Sequence, residues 1–337
     1  MLVHLELQEP KSVPSEDNPF GAHVYKLRGS DLPNTGDLWV QATEEFDSDD
    51  EVLSTDMFPS LPLHATEHTA IRGGKDNAYL AYHVPREWLR TEHEITDDYV
   101  NELVKLLEDL PPMKKEDERR GIEDTRHYQF RIGCKQNKQA VWEGRKRTGL
   151  LSLSADYIKD EEKGQKFNDH CAKLWSVAGN VHGGVFKREG KVLRRYKAPK
   201  SATSWFLAPP WPGMTINRGH VGSPVRTRNH KDKLNYGMAV LFICGDFTGG
   251  DIIFWQFKVK IPLKSGDLLI FSGHLISHSN TKVTGVRHSL VAYAKQETMS
   301  LNRNKKDVKI DTKKKERVKK KRDQMKRQMK KNMKNSD

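Results

Sequence analysis

Two histidines and one aspartate give this 337-residue chain its strongest potential for chemistry: His230, Asp232 and His278. His230 and Asp232 are two positions apart, so on an extended strand both side chains project from one face. Two imidazoles and one carboxylate leave coordination positions open, and non-haem iron oxygenases hold Fe(II) with this ligand set. We therefore expect an iron centre at these three residues.

Two histidines compete for the role of third ligand, His274 and His278. We choose His278 because Arg287 then follows nine positions later. The planar guanidinium of Arg287 suits a carboxylate, and Ser289 lies on the same strand face two residues on. Together Arg287 and Ser289 are predicted to hold the distal carboxylate of 2-oxoglutarate, while its keto-acid end binds iron.

The ordered set carries this interpretation, since a lone His-x-Asp is more often a surface turn. His-x-Asp is followed by strands that contain Gly-Gly-Asp and Gly-Asp-Leu-Leu-Ile-Phe, then by His278 and by Arg-x-Ser. We interpret His220 and His288 as hydrogen-bonded core histidines without a catalytic role.

Short apolar or β-branched runs separated by turn residues fill the chain from residue 205 onward, which predicts a β-sandwich or jelly roll. They are Trp205–Leu207, Met214–Ile216, Met238–Cys244, Ile252–Trp255, Val259–Ile261, Leu268–Phe271 and Val286–Tyr293.

Helices are predicted before this β-rich part and should cover one face of a sheet. Thr96 can cap a helix that ends at Pro111-Pro112. A second helix is expected over Lys166–Ala178, with Gly179-Asn180 as its stop. The residues at 183–191 then read as a turn and hairpin. The fold class is therefore α+β, a double-stranded β-helix (jelly-roll) core with flanking helices.

Charge divides the chain into three parts. Residues 1–70 read as an acidic, largely irregular arm, with short strands at Val24–Leu27 and Leu38–Val40. Residues 71–302 form one catalytic domain with its β-core at about 205–297. Residues 303–337 are a basic tail, expected to be disordered, or helical when bound.

A positive charge predicts a polyanionic partner. The formal net charge is +13, and the part between the acidic arm and the basic tail is itself basic. Basic residues among aromatics at 113–147, together with Arg218, Arg226 and Arg228, are expected to contact the nucleic-acid backbone. The same residues would also suit a solvated sheet edge.

Other classes of protein fit the sequence less well. It shows no apolar run long enough to span a bilayer and no signal peptide, so we expect no membrane partner. Three scattered cysteines predict a reducing intracellular compartment without disulfides. The basic tail predicts nuclear localisation, and we expect a monomer.

Residues 205–297 resemble the Fe(II)/2-oxoglutarate dioxygenases of the TET/JBP family, which oxidise methyl groups on pyrimidines in nucleic acid. Three segments carry the resemblance: His230–Asn235, Gly245–Gly250 and Lys264–Phe271. It implies the double-stranded β-helix, Fe(II) at His230, Asp232 and His278, and the co-substrates 2-oxoglutarate and O₂. It also implies that methylated duplex DNA presents a flipped 5-methylcytosine.

The resemblance also implies which side chains contact the base. Asn235, three positions past Asp232, matches an Asn or Asp that meets the cytosine edge in TET-like enzymes. Asn217 corresponds to a further base-reading asparagine. Lys295 stands where those enzymes often carry a histidine, which leaves the identity of the base open.

Three other functions remain open on the sequence. One is a catalytically silent nucleic-acid-binding module, which would take up no iron and against which the intact ligand set argues. A prolyl-type protein hydroxylase shares the same ligand order and the same nine-residue spacing to arginine, and its peptide substrates need no basic body. Oxidation of thymine or of methylated pyrimidines in RNA would use the same chemistry on another base.

Overall fold

The computed structural model describes residues 4–7, 14–16, 18–28, 58–73, 78–110, 125–132, 151–153, 161–194, 210–220, 229–296 and 299. Strands and helices both contribute to the fold, so the predicted α+β class is confirmed. Two sheets and a layer of helices make up the described part.

The larger sheet has ten strands in the order β1-β2-β3-β4-β11-β8-β13-β7-β5-β6. Their bounds are β1 His4–Leu7, β2 His23–Arg28, β3 Thr69–Gly73, β4 Ala78–Val84, β5 Thr125–Ile132, β6 Leu151–Leu153, β7 Gly213–Asn217, β8 Ala239–Gly249, β11 Leu268–Phe271 and β13 Val283–Tyr293. The neighbours are antiparallel, except that β2 and β3 run parallel. The predicted runs from Met214 to Tyr293 that lie in this sheet are confirmed within a few residues at their ends.

A three-stranded sheet, β10-β9-β12, packs on one face of the larger one. Its strands are β9 Ile252–Phe254, β10 Val259–Ile261 and β12 His278–Asn280. Alternate residues of β8 and β11, such as Leu241, Ile243 and Phe271, join the core between the sheets. Their neighbours, such as Phe242, point to the opposite face, as the period-two geometry of a strand requires.

Four helices cover that opposite face: α1 Arg86–His93, α2 Asp97–Glu108, α3 Glu161–Val185 and α4 Lys187–Arg194. Apolar residues such as Leu103 of α2 and Trp175 of α3 are fully buried against the sheet. The predicted cap is confirmed, because the Thr96 side chain accepts a hydrogen bond from the Tyr99 amide at the start of α2.

The two predictions for residues 179–191 were wrong. Helix α3 continues through Gly179-Asn180 to Val185, and α4 replaces the expected hairpin. A side chain at Gly190 would place its Cβ 2.8 Å from the Cα of Gly183. These glycines therefore allow the backbones of α3 and α4 to approach closely, a requirement that in sequence looks like a turn.

Part of the expected N-terminal arm belongs to the larger sheet. Strand β2 contains the predicted Val24–Leu27 strand and pairs with β1 on one side and β3 on the other. The predicted Val24–Leu27 strand is therefore confirmed, whereas β1 was not predicted. The sequence signal was weak because the strands are short and an acidic stretch follows them.

Several predictions concern residues outside the described ranges: the Leu38–Val40 strand, the Trp205–Leu207 strand, Arg226, Arg228, Cys134 and the tail at 303–337. Cys171 and Cys244 are free thiols and both are buried. No helix in the described ranges is long and apolar enough to cross a membrane.

Arg218 does not face solvent, as a phosphate-binding role would require. It is only 4% exposed, and its Nη1 donates to the carbonyls of Leu107, Glu108 and Leu110 at the end of α2. The last carbonyls of a helix have no partners within the helix, and a cation beside them also interacts favourably with the negative end of the helix dipole. Arg218 therefore fastens α2 to the residue after β7.

Replacing Arg218 with alanine should lower the free energy of unfolding by roughly 3 kcal/mol, since buried carbonyls lose charged hydrogen-bond donors. Urea denaturation measures the change. Arg188→Ala, at an exposed arginine of α4, is the matched control and should shift stability by less than about 0.5 kcal/mol. Equal effects of the two substitutions would contradict the capping role.

Candidate active site

His230 and His278 are joined through their backbones. The amide of His230 donates to the carbonyl of His278 at 3.1 Å, and the amide of His278 donates back at 3.0 Å. This isolated antiparallel bridge attaches the segment after residue 228 to β12. As a result the two imidazole rings lie with their centroids 4.3 Å apart.

Asp232 lies between the two imidazoles. Its amide donates to the carbonyl of Gly273 at 2.9 Å. Its two carboxylate oxygens are 4.0 Å from Nε2 of His230 and 3.9 Å from Nε2 of His278. One donor atom from each residue lies within 4.8 Å of the others, so the three form a candidate metal site.

A second hydrogen bond fixes the orientation of the His278 ring. Its Nδ1 is 2.9 Å from the carbonyl oxygen of Ile276. A carbonyl can only accept, so Nδ1 carries a proton and Nε2 is the ring nitrogen turned toward Asp232. Metal-binding histidines are usually oriented in this way. His274, the rejected alternative, also has its Nδ1 2.9 Å from a carbonyl, that of Gly237, but it does not belong to the candidate metal group.

Arg287 of β13 is a buried cation with unused donors. It is 2% exposed, and its Nε and Nη2 meet no hydrogen-bond acceptor among the described residues. Burial lowers the pKa of Arg287 to about 10, while the negative charge of Asp251 opposes that change. The guanidinium therefore stays protonated at neutral pH, with two N–H groups available to an anion.

Ser289 lies two residues past Arg287 on the same face of β13. The Asn217 amide, directly opposite in β7, donates to its Oγ at 2.9 Å. The serine oxygen is thus held as an acceptor, and its own proton is left to donate elsewhere. This contact gives Asn217 a positioning role at Ser289, which differs from the base contact predicted for it.

One cavity of about 370 Å³ between the two sheets connects these groups. Its size is within the usual range for small-molecule sites. Among its lining residues are all three members of the candidate metal site, the Arg287–Ser289–Asn217 group, and also Asn235 and Lys295. The structure thus brings together every predicted site residue that it describes, whereas Arg226 and Arg228 lie outside the described ranges.

Asn235 and Lys295 are backbone neighbours in an isolated bridge. Asn235 is 7% exposed, and the Lys295 ammonium is 5.8 Å from the centre of the Tyr293 ring. The segment that bears Asp232 is therefore tied to the end of β13 as well as to β12.

The further cavity residues that were missed in the sequence include Thr215, Val291 and Tyr293. Thr215 is two residues before Asn217, and the other two continue the series 287, 289, 291, 293. Strand alternation from the predicted residues would have identified them.

His288 and His220 were both predicted to lie in the core, and the structure places only one of them there. His288 is 1% exposed and belongs to the core side of β13, as expected. His220 is exposed, so its assignment to the core was wrong.

No protein-family model and no curated protein matches this sequence. Solved structures do match. The one described as NgTET1 in complex with 5mC DNA aligns over 75% of this chain and 88% of its own, with a TM-score of 0.51 and 18% identity. The likeness is one of fold.

Two further matches have lower scores. OsALKBH1 aligns over 64% of this chain and 96% of its own, with a TM-score of 0.34 and 13% identity. A viral collagen prolyl hydroxylase from Paramecium Bursaria Chlorella virus-1 aligns over 34% and 72%, with a TM-score of 0.22 and 15% identity. Neither score is high enough to add to the argument.

Asp232→Ala should remove one equivalent of bound divalent metal, because two imidazoles alone lack the anionic ligand. Titration with Co²⁺, followed by its visible absorption, measures the loss. Asp246→Ala removes an exposed carboxylate outside the cavity and should leave the stoichiometry unchanged. Full Co²⁺ binding by the Asp232 variant would exclude this residue as a ligand.

Proposed function

We propose that the protein is an Fe(II)- and 2-oxoglutarate-dependent dioxygenase with a double-stranded β-helix core. Its substrate is 5-methylcytosine in DNA, whose methyl group is oxidised to give 5-hydroxymethylcytosine and further products. The observation that supports this most strongly is the placement of Arg287, a buried cation with unused donors, in the same cavity as two imidazoles and a carboxylate.

The donor chemistry fits Fe(II). His230 and His278 would supply neutral nitrogen and Asp232 an anionic oxygen, which leaves positions for a chelating co-substrate and O₂. Gly273 leaves room beside them, because a Cβ there would come within 3.2 Å of the Asp232 carboxylate and would press against it. The hydrogen bond from His278 to Ile276 keeps one ligand oriented without help from the metal.

The other end of the cavity fits 2-oxoglutarate. Arg287 can donate two parallel hydrogen bonds to a carboxylate, and the Ser289 hydroxyl can donate a third. A charge as buried as that of Arg287 is costly unless an anion accompanies it. With iron bound there, O₂ would be the oxidant: one oxygen atom would enter the hydroxylated C–H bond and the other would enter 2-oxoglutarate, which would give up two electrons and become succinate and CO₂.

The substrate proposal rests on charge and fold. The chain carries a net charge of +13, and the solved structure with the likeness above contains 5mC DNA. A methyl group inside a stacked duplex cannot reach a buried site, so the base must be flipped at a cost of a few kcal/mol. Asn235 and Lys295 are the residues we assign to the edge of the flipped base.

Incubation of the full chain with Fe(II), 2-oxoglutarate and a 5-methylcytosine duplex should release succinate and yield 5-hydroxymethylcytosine by nucleoside mass spectrometry. Asp232→Ala should form neither. Matched thymine duplexes and methylated RNA are run in parallel. Product formed only on thymine or only on RNA would assign that molecule as the substrate instead. Hydroxylation of a proline peptide alone would show that the substrate is not a nucleic acid.

Arg287→Lys should weaken 2-oxoglutarate binding about 10- to 100-fold, since a point charge replaces a bidentate donor at a cost of roughly 1.5–3 kcal/mol. Anaerobic calorimetry with Mn²⁺ in place of iron measures it. Arg90→Lys changes an exposed arginine and serves as control. Unchanged affinity in the Arg287 variant would place the co-substrate elsewhere.

Leu234 at the cavity rim is suited to enter the duplex. Its side chain is 62% exposed, the only large apolar side chain so exposed among the described residues, and it directly follows the exposed Lys233. Proteins that distort DNA often insert an apolar wedge between base steps. We assign Leu234 to the gap that the flipped base leaves, with Lys233 at the phosphates.

Leu234→Ala should therefore reduce kcat/KM on duplex DNA about tenfold and leave single-stranded DNA almost unaffected, because a single strand has no gap to fill. Steady-state rates on the two substrates measure the ratio. Leu275→Ala, at a partly buried leucine packed in the core, controls for a general loss of stability. An equal loss on both substrates would assign Leu234 to the base pocket instead.

A further inference from the structure

A second group of metal-ligating side chains lies apart from the cavity: His23, His64 and Glu67. His23 is the first residue of β2, and the other two precede β3. None of the three lines the candidate active site, and no step proposed above uses them.

The three side chains converge closely. The rings of His23 and His64 are stacked with centroids 3.5 Å apart and planes 8° from parallel. One Glu67 carboxylate oxygen contacts Nε2 of His23 and is 3.9 Å from Nδ1 of His64. One donor atom from each residue lies within 4.8 Å of the others, as at the candidate iron site.

We propose that His23, His64 and Glu67 bind a divalent transition metal, Zn²⁺ by preference. Two imidazole nitrogens and one carboxylate oxygen are ligands that Zn²⁺ accepts, and water can complete a tetrahedron. The His64 side chain is 38% exposed and that of Glu67 56%, so solvent reaches the fourth position. His64 must turn out of the ring stack to direct its lone pair at the metal, and its exposure leaves room for this.

The position of the site indicates a structural role. Strands β2 and β3 run parallel, with His23 opposite Thr69, and parallel neighbours need a long connection. The backbone already links the two ends, because the His23 amide donates to the His68 carbonyl at 2.8 Å. A metal between His23 and His64 would close that connection at its base, and because the site exists only in the folded chain, the free energy of metal binding would add to the stability of the fold. Bound Zn²⁺ would therefore fasten β1 and β2 to the rest of the sheet.

The test uses the full chain, stripped with chelator and titrated with Zn²⁺ by calorimetry. Asp232→Ala removes the candidate iron site and should retain one equivalent of Zn²⁺. Adding His64→Ala should weaken that remaining equivalent about 100-fold or more, beyond the effect typical of losing an outer-shell partner. Adding His220→Ala instead, at an exposed histidine, is the control and should retain it.

Thermal unfolding provides an independent readout. Zn²⁺ should raise the Tm of Asp232→Ala, because a ligand that binds only the folded state stabilises it, and should not raise that of the double variant. Glu67→Gln, a nearly isosteric change at an exposed carboxylate, repeats the test if His64→Ala unfolds. The proposal is overturned if Asp232→Ala binds no equivalent of Zn²⁺. It is also overturned if that equivalent persists both when His64→Ala and when Glu67→Gln is added to Asp232→Ala. Neither result depends on oxygenase activity.

Discussion

The two hydrogen bonds exchanged by the backbones of His230 and His278 are the constraint on which the candidate active site depends. These residues are 48 positions apart, and no side-chain interaction would by itself hold two imidazoles and a carboxylate together. Because the bridge sets the register of the segment, Asp232 meets the carbonyl of Gly273 and its carboxylate falls between the two Nε2 atoms. Donor geometry is thus decided by the main chain before any metal binds.

Arg287 imposes the second constraint. A guanidinium that is 2% exposed and has two donor atoms without acceptors costs free energy in the protein alone. Asp251 is near enough to oppose the lowering of its pKa. Under the proposed function, the carboxylate of 2-oxoglutarate would remove this cost by accepting hydrogen bonds from these donors. Unsatisfied polar groups of this kind are concentrated at functional sites, where binding compensates for them.

The sequence predicted those features that depend on local periodicity. Short apolar runs between turn residues predicted β7 to β11 and β13, and a threonine followed by two aspartates predicted the start of α2. The failures have different causes. Gly183 and Gly190 serve helix contact rather than a turn, and the strands β1 and β12 that were missed have only four and three residues. Arg218 looked like a phosphate contact because its acceptors, the last carbonyls of α2, are more than 100 positions away.

The residues at the two ends of the cavity are held by backbone hydrogen bonds of unequal extent. Arg287 and Ser289 project from β13, which is hydrogen-bonded along its length to β8 and β7 in the middle of the ten-stranded sheet. Residues 231–235 lie at the rim of the cavity and are held by only a few isolated main-chain hydrogen bonds. Interior strands open rarely, whereas loosely attached segments open often and tolerate substitution. Under the proposed function, divergence of such a scaffold would retain Asp232 and the co-substrate residues of β13, while the other side chains of residues 231–235 would change with the molecule that is modified.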